Sequence, residues 1–210
     1  MNIFQMLFET VRGKGAVEEI KSGKSVSLFV WNCVLLIVLC GTLYGYAIGF
    51  GVSQDAILKN GLKTTLILLI GCGMAIPPSI LAFVAMLPGV KPRVVSLAVL
   101  CGVTVSALVL GICAPFSFLY SIVWSFGGDI VSVVIVDIVI LAGIYAGGSV
   151  LYYCYTDNEK NKLVVPLIMT AIFALITMYL LIQFFTPYLV DTEYFCKGSL
   201  RLHELLALKK

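Results

Sequence analysis

The stretch Val133–Leu141, read VVIVDIVIL, holds one carboxylate, Asp137, inside an otherwise apolar run. An acid in such a setting can serve as a station for a proton or cation. It can also pair with a charge on a partner subunit, or stay neutral and hydrogen-bond a neighbouring helix. A helix that begins later would leave it near the lipid headgroups instead. On a helical wheel Asp137 shares its face with Leu141, Ile144 and Gly148, none of them polar, and no basic residue is expected mid-span to pair with it. An ion path needs more than one polar station, so a neighbouring helix or subunit fits Asp137 better than a transported ion.

Pro77-Pro78 lies midway through a second apolar segment, with Gly71 and Gly73 shortly before it, and Pro115 stands in CAPFSF. Proline removes a backbone donor and clashes with the preceding turn, so a kink or break is expected at the doublet and a bend at Pro115. Broken helices line many transporter sites. They also serve as packing devices where neighbouring groups satisfy the freed carbonyls, and the lack of a polar lining favours that use here. Gly41, Gly45 and Gly49 recur every fourth residue, and Gly143 and Gly147 repeat the spacing. Such smooth stripes let helix backbones approach closely in lipid. They form either an oligomer or partner interface or a contact within one bundle.

No reaction motif accompanies these residues. HExxH, GxSxG, the phosphate-binding P-loop and the dinucleotide fingerprint are all missing. The one histidine, His203, lies far from every cysteine except Cys196, and the seven cysteines include no CxxC. Small apolar filler is the better reading for the six cysteines in or beside apolar segments. No catalytic residue, cofactor or metal is expected.

The elements that carry these residues follow from composition. The 210 residues are 60% hydrophobic and 12% charged. A soluble domain carries roughly twice that charged fraction, so this chain could not cover its own surface with polar groups. The net charge of +3 is mild, and no dense basic patch with interleaved aromatics points to nucleic acid. The expectation is an all-α, polytopic transmembrane bundle of about five spans, at about 26–50, 64–87, 94–122, 130–155 and 164–188, each long enough for a hydrocarbon core of about 30 Å. The connections lie at Gln54-Asp55 with Lys59-Asn60-Gly61, at Pro88 to Arg93, at Phe126 to Asp129, and at Thr156 to Lys162. Their shortness makes sequential spans antiparallel neighbours.

Residues 1–25 form a juxtamembrane segment rather than a cleavable signal, because charges persist to Lys24 and the next apolar run is long enough to span. Within it Ile3, Phe4, Leu7, Phe8 and Val11 fall on one helical face, opposite Asn2, Gln5, Glu9 and Arg12. An amphipathic helix there lies in the interface or packs on the bundle or a partner. Residues 189–210 form a tail whose leucines read as a short helix. Arg12, Lys14, Lys21, Lys24, Lys91, Arg93, Lys160 and Lys162 fall on one side of the membrane, and Lys59, Lys63, Lys197, Arg201, Lys209 and Lys210 on the other. The first set, with its N-terminal cluster, puts the N-terminus in the cytoplasm.

Leu43-Tyr44-Gly45 with Gly49, then Gln54, Lys63, Pro77-Pro78 and Ala114-Pro115, together resemble the Yip-type, or Ypt-interacting, five-span membrane proteins and related bacterial multi-pass proteins of unassigned function. The eukaryotic signature has an acid before Leu-Tyr-Gly and a proline after it, where this chain has Thr42 and Tyr46. The resemblance implies no catalytic residue. It implies a small membrane component that acts through other proteins or through the bilayer, and its bacterial side implies an inner-membrane location. The functional expectation is a non-enzymatic subunit or scaffold whose partners are the lipid bilayer and other membrane subunits or further copies of itself. The alternative is a transporter or channel component using Asp137 and the Pro77-Pro78 break.

Overall fold

The computed structural model describes residues 26–50, 54–87, 89–123, 128–155 and 163–185. The expected amphipathic N-terminal helix and the C-terminal tail lie outside the described residues. Five helices follow one another: α1 Val26–Gly49, α2 Gln54–Met86, α3 Pro92–Val123, α4 Gly128–Cys154 and α5 Val164–Phe185. All five are long and apolar enough to cross a membrane, and the protein is an integral membrane protein with an all-α bundle fold. In hydrocarbon only helices or closed barrels satisfy every backbone group internally, so uninterrupted apolar runs of this length become helices.

Two boundaries differ from the sequence expectation. α2 begins at Gln54, ten residues before the expected start, and takes in Lys59, Asn60 and Gly61. These residues read as a loop because they are polar or glycine. They are helical because the neighbouring helix covers them: Asn60 is buried, and the ring of Tyr46 lies over Gly61. Of the kink or break expected at Pro77-Pro78, the break does not occur: α2 runs unbroken through the doublet, and α3 runs unbroken through Pro115. Pro77 is exposed, so its ring meets the surroundings rather than a neighbouring helix. Two turns later the chain reverses at Leu87 to Lys91. There Val90 N donates to Leu87 O at 3.2 Å and Gly89 takes φ 104°, a left-handed value that glycine adopts without strain.

α1 packs on both α2 and α3, α3 packs on α4, and α2 carries α5, which barely meets α4. Two apolar clusters stack along the bundle axis. Near the α2–α3 turn, Phe29 and Cys33 meet Phe83, Val95, Cys101 and Val150. Toward the α1–α2 connection, Ile37 and Tyr44 meet Leu68, Leu110, Ala114 and Val139. The outer surface is apolar and lipid-compatible, from Leu28 and Leu35 on α1 to Ile168 and Ile172 on α5. Exposed Trp31, Tyr152 and Tyr153 sit at one end of their helices and exposed Tyr46 and Phe50 at the other, as interfacial aromatic belts do.

Candidate functional site

Among the described residues, most of the buried polar ones gather toward the α1–α2 connection, with Ser79 and Thr104 buried elsewhere. On α2, Asn60, Lys63, Thr64 and Thr65 are all buried within little more than one turn. Lys63 is 0% exposed. A lysine buried inside a membrane bundle is expensive and marks a candidate site by default. The sequence expectation is that no basic residue lies mid-span; Lys63 lies in the first third of α2, not at its middle, but inside the helix all the same. By composition Lys63 reads as part of a loop, and the earlier start of α2 puts it in a helix packed in the bundle. The signal that could have found it is its spacing from Asn60 and Ile67, which puts all three on one helical face.

The threonines tie this end together. Thr64 Oγ1 donates to Asn60 O at 2.9 Å, and Thr65 Oγ1 lies 3.0 Å from Gly61 O. Across the seam, the hydroxyls of Thr42 and Thr65 meet at 3.0 Å. Membrane helices use such hydroxyls because each can hydrogen-bond its own preceding carbonyl or reach a neighbour. Two further hydroxyls end nearby. Tyr44, 0% exposed on α1, directs its oxygen at Ser117 on α3, and neither oxygen reaches hydrogen-bond geometry with any described group. Such buried unsatisfied oxygens are uncommon in native interiors.

The glycines expected to form a packing interface are turned inward. A Cβ on Gly45 would strike Asn60 O and come within 2.6 Å of Gly61 Cα, and one on Gly41 would lie 3.3 Å from Thr65 Cα. Gly49 is likewise buried at the end of α1. Gly143 meets Ser106 and the carbonyl of Gly102, while a Cβ on Gly147 would lie 3.0 Å from Ala98 O. Both stripes thus serve contacts within one chain: α1 with α2, and α4 with α3. Ser106 Oγ adds a hydrogen bond to Val139 O at 2.9 Å across the second seam.

Asp137 stands apart from all of this. It is exposed on α4, flanked by exposed Val134, Ile138 and Leu141. Ile135 and Val139 occupy the inward face of α4, and Asp137 falls on the other. It lies nine residues after Gly128, or about 13 Å along the axis at 1.5 Å per residue. Pro77 is exposed on a different helix, so Asp137 and the proline doublet do not line one path. Pro115 is exposed as well.

Among the described residues no group of three His, Cys, Asp or Glu is placed to hold a metal, and the six described cysteines are free thiols. No family model, no curated protein and no solved structure matches this chain.

Proposed function

We propose that this protein is a non-enzymatic subunit or scaffold of a membrane complex, with α4 as its partner-facing helix. The observation that carries this reading is Asp137, exposed on a spanning helix among apolar neighbours. A carboxylate facing lipid is unfavourable by roughly 2.5–3.5 kcal/mol at mid-span and by less nearer the end. A partner transmembrane helix that brings a lysine, arginine or hydroxyl to the same depth removes that cost. The glycine stripes do not serve this contact, because they are already used within the chain. The resemblance to Yip-type proteins and their bacterial relatives agrees with a component that works through other proteins. With it comes a bacterial inner-membrane location with the N-terminus in the cytoplasm.

A transport role draws support from Lys63 rather than from Asp137 and Pro77-Pro78. Against it, the bundle interior beyond the Lys63 end is closed by apolar side chains such as Phe83, Val95 and Val150. The test is purification from native membranes in mild detergent. The wild-type chain is expected to bring a second membrane protein with it, and Asp137→Leu is expected to release that protein while the chain stays monodisperse. A wild-type chain that purifies alone as a monomer would sink the scaffold reading. Loss of ion flux in Asp137→Asn proteoliposomes, with assembly intact, would revive transport.

A further inference from the structure

α5 leans on α2 and barely meets α4, leaving a crevice of about 120 Å³ between α4 and α5. Gly102 forms its floor, Gly147 and Gly148 its α4 wall, and Leu167, Thr170 and Ala171 its α5 wall. Leu175 of α5 lines it and is itself exposed. The crevice is therefore continuous with the surface that meets the bilayer. We propose that it is a binding slot for one acyl chain of a membrane phospholipid.

The size selects the occupant. An α-helix with its side chains is about 10–12 Å across and cannot enter. An apolar cavity of roughly 150 Å³ stays dry yet takes up a small hydrocarbon, and an empty one forfeits dispersion contacts along its lining. A short stretch of a single alkyl chain, a few methylenes long, fits, and such chains are present in the surrounding solvent at high concentration.

One polar atom refines the assignment. Thr170 Oγ1 is buried in the crevice wall and makes no hydrogen bond to any described group. A threonine in a helix ordinarily donates to the carbonyl four residues back, as Thr64 and Thr104 do here. Thr170 lies in the second turn of α5, at the shallow end of the span. The ester carbonyl of an acyl chain entering from that end accepts its proton.

The full-length protein, reconstituted with phosphatidylcholine carrying a diazirine on one acyl chain, tests this by irradiation and peptide mapping. Adducts are expected to concentrate on Leu167 and Ala171, above the level at Leu81 and Ile112, which are exposed and do not line this crevice. Ala171→Phe fills the slot and is expected to lose the concentrated adducts while those at Leu81 and Ile112 persist. Ala174→Phe, filling the same slot one turn on, gives the same answer should the first variant fail to fold. Thr170→Val preserves shape and is expected to lower slot labelling alone; unchanged labelling there would overturn the ester contact. Slot labelling no higher than at Leu81 and Ile112, or undiminished in both phenylalanine variants, would overturn the slot itself. So would crosslinks from the slot to a second polypeptide instead of lipid.

Discussion

Gly45 and Gly148 are both helical glycines beside a neighbouring helix, yet the first closes a seam and the second borders a crevice. At Gly45 the missing side chain is filled by backbone, with Gly61 Cα 2.6 Å from where a Cβ would sit. At Gly148 it is filled by the tip of a side chain, Leu167 Cδ2, at 3.3 Å. The difference lies in the partner. α2 offers Gly61 where α1 offers Gly45, so two backbones meet. α5 offers leucine where α4 offers glycine, so the helices are held apart by the width of that side chain. A small residue permits close approach, and the facing residue decides whether approach happens.

The sharpest break of this comparison is Gly45→Leu. Overpacking that only side chains must absorb destabilises by about 1–3 kcal/mol, and here the obstacle is backbone. We expect loss of the monodisperse species in detergent gel filtration, whereas a variant that melts like the wild type would contradict the closed seam. Gly73→Ala lies at the other extreme, because a Cβ there meets nothing within 4 Å. Relief of the helix penalty of glycine predicts a gain of about 0.8–1.0 kcal/mol in thermal or denaturant unfolding. Destabilisation would show that the outer face of α2 is more crowded than its geometry implies. Ser106→Ala tests the seam between α3 and α4, where the hydroxyl bonds Val139 O. Interhelical hydrogen bonds in membranes average about 0.6 kcal/mol, so a small loss is expected in the same unfolding assay. A loss of several times that size would make the hydroxyl, rather than glycine contact, the main tie of that seam.

Much of the fold was legible because hydrocarbon leaves a chain few options. Apolar runs near twenty residues must be helical, and the short connections make neighbours antiparallel. The start of α2 was not legible. Lys59, Asn60 and Gly61 carry the composition of a loop, and only the packing of Tyr46 and Gly45 against them accounts for their helical state. At the proline doublet the sequence leaves a kink or a break open. Its local chemistry allows either, and α2 continues to Met86 without a break, with Ser79 Oγ donating to Ala75 O at 2.6 Å just past it.

Asp137 and Lys63 mark the boundary between the two kinds of information. The sequence alone determined that this is a membrane protein with five apolar helices, that Asp137 is the odd acid in the fourth, and that glycines stripe the first and fourth. These are properties of composition and period, and the solvent enforces them residue by residue. Only the tertiary structure decided which way each residue faces. Ile135 and Val139 take the inward face of α4 and turn Asp137 out, while Lys63 of α2 is wholly buried. Facing is set by how helices share a limited interior, and in lipid the outer surface is as apolar as the core, so the pattern along one helix does not reveal it.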